Sequence, residues 1–199
     1  MSRSLTEPEI QRYSRQILLH EVGGVGQLRL LSQAFALRGT GPALIACAAY
    51  VEGAGCPLIL PDRALEPDEV GYLFSREQVG QPLPSLSGAV AAAEGAEAPG
   101  ELGQVPASFT SQGPRVALGA RGGRAALAWA AAGGCPACFG AAVGQLTAPG
   151  READPVVLGS LGALVAVRLV LGEERGVGAM VLGPRGSERW ELEPCEGCR

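Results

Sequence analysis

Apolar and polar positions along the chain follow two spacings, and the changes between them mark out the elements. Ile10, Tyr13 and Ile17 recur at helical spacing after Thr6, and Glu9 lies three residues past that threonine, the capping-box pattern of a helix start. A helix is therefore predicted over Leu5–Leu31. Ala34–Arg38 is a short apolar run that predicts a strand, Gly39-Thr-Gly41-Pro a turn, and the Ala-rich stretch Ala43–Glu52 a helix. Pro57–Leu60 predicts a second strand, which runs out just before Asp62. Residues 80–113 turn to Gly, Pro, Ala and Ser and predict a loop-rich bridge with one helix, Ser87–Glu94. Strands are predicted at Arg115–Leu118 and Arg124–Ala131, an exposed crossing loop over Gln145–Asp154, and a helix over Leu158–Leu171 that Gly172 closes. Ala179–Leu182 and Arg189–Leu192 read as a hairpin about Gly183-Pro-Arg-Gly186.

Strand, glycine turn, helix and second strand make a βαβ unit, with Asp62 placed 23 residues (62 − 39) after Gly39. That is the layout of the first crossover of a nucleotide-binding fold, in which Gly39 and Gly41 would approach phosphates and Asp62 a ribose. Two glycines of the three-glycine fingerprint are present: Pro42 follows the second, and Leu44 stands where the third belongs. The same residues also suit a turn that merely joins strand to helix.

The chain of 199 residues is one domain's worth. Within it, residues 5–32 are expected to form a helical arm, 34–113 a nucleotide-binding-like half, and 114–199 a second half. Its net charge is −4, so the basic footprint of a nucleic-acid binder is lacking. The most apolar stretch, Val156–Gly172, contains Arg168 and falls short of the roughly 20 residues that span a bilayer, so no membrane role is expected. Met1–Pro8 shows no apolar signal-peptide core, which gives the expectation of a cytoplasmic, reducing setting. All sixteen basic residues are Arg.

Four of the six cysteines fall in two CxxC pairs, Cys135-Pro-Ala-Cys138 and Cys195-Glu-Gly-Cys198, separated by 56 residues. A CxxC turn aims two sulfurs at one edge of a tetrahedron, and a second turn completes the shell, so the four predict a structural zinc site that staples the C-terminal hairpin to the middle of the chain. Two disulfides, or thiols without metal, are the other readings of this spacing. Cys47 and Cys56 lie on apolar stretches and read as buried thiols. His20 is the sole histidine, which excludes a histidine-dependent triad within one subunit.

Several landmarks stand in a particular order: Glu9-Ile-Gln-Arg-Tyr-Ser-Arg-Gln-Ile-Leu-Leu19, Val22-Gly…Gly26-Gln, the glycine turn and Asp62, Phe74…Val79-Gly80-Gln-Pro, the first CxxC, Gly159-Ser-Leu-Gly-Ala-Leu, and the second CxxC. In this the chain resembles the ThiF/MoeB/HesA family of ubiquitin-activating-enzyme-like adenylyltransferases. The resemblance implies an α/β fold with a Rossmann-like, mostly parallel sheet flanked by helices, and a dimer. In active members it implies attack of a carrier protein's C-terminal carboxylate on ATP with Mg. It also implies that Arg15, the second Arg of the motif, reaches across a dimer interface to the partner's ATP; a solvated helix face or an internal ion pair is the plainer reading for Arg12 and Arg15.

Against the family's pattern, the chain lacks the Ser-Asn-Leu-x-Arg-Gln segment after the ribose-binding acid, and Leu83-Pro84 stand where a Lys belongs. No Asp occurs between Gly88 and Arg115, where a magnesium ligand is expected. Transfer of a nucleotidyl group depends on positioning and charge neutralisation, so these losses predict a pseudoenzyme that binds a partner. That partner would be an active ThiF/MoeB-like paralogue in a heterodimer, a second copy of this chain, or a ubiquitin-like or sulfur-carrier protein or peptide. The alternative is retained adenylation, with Arg63, Arg76 or Arg121 replacing the lost cations and Glu66, Asp68 or Glu69 the magnesium ligand.

Overall fold

The computed structural model describes residues 3–38, 42–59, 88–92, 113–147, 154–183 and 186–198. The opening segment forms two helices, not the single one predicted: α1 (Glu7–Ile17) and α2 (Gly23–Ser32). Thr6 and Glu9 make the expected capping box. Helix α1 ends at Ile17, the chain turns at Leu18–Val22, and Gly23, which opens α2, takes φ 57, a left-handed conformation that glycine adopts at little cost.

Seven strands form one sheet in the order β2-β1-β3-β4-β5-β6-β7. They are β1 (Phe35–Arg38), β2 (Leu58–Ile59), β3 (Gly88–Ala92), β4 (Arg115–Arg121), β5 (Arg124–Ala130), β6 (Val177–Gly183) and β7 (Gly186–Arg189). The pairings of β1 with β2, β1 with β3 and β3 with β4 are parallel; those from β4 to β7 are antiparallel. The sheet is thus mixed, which corrects the expectation of a mostly parallel one. The antiparallel half follows from short connections: Gly122 and Gly123, both with positive φ, turn β4 directly into β5, and a two-residue turn allows no crossover. A second correction concerns Ser87–Glu94. Ala-rich sequence suggests helix, yet residues 88–92 pair on both sides, with β1 and β4, because a slot in the sheet outweighs a local preference of less than about 1 kcal/mol per residue.

Strand alternation sorts the core. Val116 and Leu118 of β4 and Leu127 and Trp129 of β5 pack toward α3 (Pro42–Gly53) and the long helix α5 (Pro155–Leu171). On the other face Ala117, Ala126, Ala128 and Ala130 form a shallow floor on which Phe139, Ala142 and Val143 of α4 (Pro136–Val143) settle. Large residues on one face and alanines on the other decide how near each helix layer lies. Helix α5 starts at Asp154, whose side chain accepts from the backbone N–H groups of Val156 (2.9 Å) and Val157 (3.4 Å), and stops at Gly172 in the left-handed conformation, as predicted. Among the described residues no helix is long and apolar enough to cross a membrane.

Candidate metal centre

Both CxxC pairs are built as tight turns, and the chain brings the two turns together. Beyond β5 the chain bends through Gly133 (φ 75), and the Gly134 N–H returns to the Ala131 carbonyl at 2.8 Å. Cys135 then caps α4, with Pro136 in the first turn, where its missing N–H costs nothing. At the other end Trp190 bonds back to Ala179, and residues 196–198 wind into a 3₁₀ turn closed by Cys198 N–H on the Cys195 carbonyl at 2.9 Å.

The four sulfurs lie within 4.8 Å of one another. Cys135 Sγ is 3.6 Å from Cys195 Sγ, and Cys138 Sγ is 3.9 Å from Cys198 Sγ. Zinc–thiolate bonds of about 2.3 Å set a tetrahedral edge of about 3.8 Å, roughly 1.63 times the bond. These separations match that edge, whereas a disulfide would need about 2.05 Å. All six cysteines are free thiols. The cluster can therefore hold a metal ion such as zinc. Cys195 N–H donates to Cys138 Sγ at 3.4 Å, the kind of contact that orients a thiolate ligand.

The electrostatics of the metal-free thiols point the same way. The Cys138 backbone N–H, then hydrogen bonds from the other three cysteine side chains, bring Cys135 down to about 6. Hydrogen bonding to Cys135 and Cys195, first among several causes, pushes Cys198 up to about 12. Cys135 is thus the thiol most ready to ionise.

Arg115, not singled out by sequence spacing, adjoins this cluster. It opens β4, is 6% exposed, donates from Nη2 to the Gly134 carbonyl at 3.0 Å, and lies 4.8 Å from the Phe139 ring centroid. Desolvation lowers its pKa, and the charge of Cys135 opposes that shift. The available signal was a charged residue two positions before Ala117, on the face that strand alternation turns inward. Beside the tetrad a cavity of about 530 Å³ is lined by Arg121, Gln145, Glu191 and Glu193 as well as Cys138 and Cys195. Arg121 stacks over Trp190 at 4.7 Å.

The remaining candidates do not join this centre. Arg12 and Arg15 are exposed on α1; Arg12 lies 5.5 Å over the Tyr13 ring, and Arg15 makes no ion pair among the described residues. His20 is exposed in the turn after α1. Cys47 and Cys56 are buried, and burial pushes both thiols up to about 12. Gly39, Gly41, Asp62, Arg63, Glu66, Asp68, Glu69, Arg76 and the Phe74–Pro82 landmark lie outside the described residues, as does most of the crossing loop.

No family model and no curated protein matches the chain. Its fold class, a mixed α/β sheet layered with helices, is one already seen in solved structures that match nearly its whole length. E. coli MccB matches 94% of this chain and 71% of its own at a TM-score of 0.60 and 13% identity. MccB solved with ATP gives 0.59 and 14% over 94% of this chain and 73% of its own, and PaaA gives 0.58 and 16% over 96% and 76%. MccB has also been solved, as a microcin C7 biosynthetic enzyme, in complex with N-formylated MccA; that match has a TM-score of 0.54 at 14% identity over 94% of this chain and 74% of its own. Identities this low establish likeness of fold.

Proposed function

We propose that the chain is a zinc-stapled, single-domain protein of the ThiF/MoeB/HesA kind that has lost adenylation and serves as a non-catalytic, partner-binding subunit. The fold it shares with MccB and PaaA, and cysteines spaced for a metal, support the frame. One observation carries the loss of chemistry: the 199 residues include no Lys and no Asn. The family's Lys and the Asn of its Ser-Asn-Leu-x-Arg-Gln segment are therefore missing in every register. Arg can carry positive charge, but its rigid planar fork does not reproduce a point-like ammonium at the same place. The partner is an active paralogue, a second copy, or a ubiquitin-like or sulfur-carrier protein or peptide, in a cytoplasmic setting. Zinc, held by Cys135, Cys138, Cys195 and Cys198, is structural in this reading, and ATP with Mg has no role.

Metal analysis should return about one zinc per chain, and Cys135→Ser should release it. Supplied with ATP, magnesium and a carrier protein or peptide, the protein should show no pyrophosphate exchange above background. Exchange would sink the pseudoenzyme reading.

A second reading is favoured by MccB having been solved with ATP and with MccA: ATP-dependent activation of a peptide or carrier C-terminus. Asp62 would then sit on ribose, Gly39 and Gly41 by the phosphates, and Arg15 would come from a neighbouring subunit. Calorimetry separates the two, since saturable ATP binding belongs to the second alone.

A further inference from the structure

We propose that Arg115 is the charge-balancing residue of the cysteine centre: its guanidinium, fixed between the Phe139 ring and the Gly134 carbonyl, offsets the negative charge of a metal tetrathiolate and holds the first CxxC turn in its ligating shape. This rests on reading the tetrad as a zinc site.

A buried Arg is expensive and cannot escape by losing its proton, so it is found with an anion. Arg115 meets no carboxylate among the described residues, and its Nε has no hydrogen-bond partner. Its surroundings on that face are apolar: Ala117, Ala130 and Phe139. A Leu or Met there would meet the packing need without the desolvation cost. The anion that justifies a cation begins one residue past Gly134. A divalent ion with four thiolates carries a net charge of about −2, and a site with that charge, which here runs from buried at Cys138 to exposed at Cys198, is steadied by donors and cations beside it. Cys195 N–H supplies one donor, to Cys138. Arg115 supplies the cation, and its bond to the Gly134 carbonyl fixes the peptide that leads into Cys135. Arg115 meets the Gly134 carbonyl and the Phe139 ring; it acts through the turn and through its charge, as a positioning residue.

The test uses the full chain loaded with zinc or with cobalt. Arg115→Gln keeps a donor near Gly134 and removes the charge; Arg115→Lys keeps the charge. Zinc affinity, read by competition with a chromophoric chelator, is expected to fall about 10- to 100-fold in Arg115→Gln and to stay near wild type in Arg115→Lys. The thiolate-to-cobalt charge-transfer band should move to longer wavelength in the Gln variant, because its thiolate lone pairs lose a stabilising charge, and stay in place in the Lys variant. Equal affinities and unmoved bands in both variants would reduce Arg115 to packing and overturn the proposal. Should Arg115→Gln not fold, the Lys variant decides: a folded Lys variant that has lost zinc affinity about 10- to 100-fold would overturn charge balance, and one that retains it would support it. Failure of the wild-type chain to bind zinc would overturn the metal reading and this proposal together, whereas tight binding by both wild type and Arg115→Gln removes this proposal alone.

Discussion

Replacing Gly159 with Ala sets two effects of opposite sign against each other, and the packing of α5 on α3 says which wins. Within a helix the change should be favourable, since Ala exceeds Gly by about 1 kcal/mol in propensity. A Cβ on Gly159, however, would lie 2.4 Å from the Ala43 carbonyl oxygen, 2.6 Å from Ala46 Cβ and 2.8 Å from the Cys47 nitrogen. Two of these are backbone atoms, so no rotamer change relieves them. Restoring an ordinary 3.4 Å contact requires the helices to part by about 1 Å (3.4 − 2.4), and both lie in the main core with Leu118, Leu127 and Trp129. Overpacking of this kind costs about 1–3 kcal/mol. With the upper end apt for a backbone clash, the net loss is about 2 kcal/mol after the propensity gain, a fall in Tm of about 4–8 °C for a chain of this length. Gly140, in α4, is the control: nothing lies within 4 Å of its Cβ position, so Gly140→Ala should raise stability by up to about 1 kcal/mol. Urea unfolding of the two variants beside wild type measures both. A Gly159→Ala protein as stable as wild type would refute the close approach of the helices.

Asp154→Ala removes the acceptor for two N–H groups at the start of α5 and should cost about 1 kcal/mol, read from the denaturation midpoint; no change would mean the cap is not formed. Cys47 and Cys56 are raised by burial from an ordinary 9.0 to about 12. Their contribution to stability is therefore complete below pH 9 and is lost as pH climbs from 9 toward 12, while the unfolded thiols ionise and the folded ones do not. Cys47→Ala should flatten that alkaline loss, and an unchanged slope would exclude Cys47 as a source. Chelating the metal should raise hydrogen exchange in residues 131–143 and 190–198 and leave α3 and α5 protected, because the staple joins those two segments; a uniform rise across the chain would argue against a local staple.

How much of this could be read from the sequence divides by range. The capping box at Thr6 and Glu9 and the Gly172 stop of α5 were legible, whereas α5 starts at Asp154, ahead of the predicted Leu158; all of these, like the β4–β5 alternation, are settled within a few residues, by side chains bonding the nearest free backbone groups or by facing in and out at period two. The two CxxC turns were legible in the same way, as local loops that each present two sulfurs. Other features lay beyond local reading. Residues 88–92 carry an Ala-rich run that suits either a helix or a strand; β1 and β4, far away in the chain, made it a strand by leaving a place between them. The same tertiary placement gave Gly159 its meaning, since the Ala43 carbonyl it nearly touches lies more than a hundred residues earlier. It also turned Arg115 from the first residue of a strand into the cation beside the cysteines. Sequence by itself determined which short segments would curl, extend or turn, because those choices depend on neighbours in the chain. The tertiary structure decided which of them meet, because burial and unpaired charge are properties of a place in space and not of a position in the sequence.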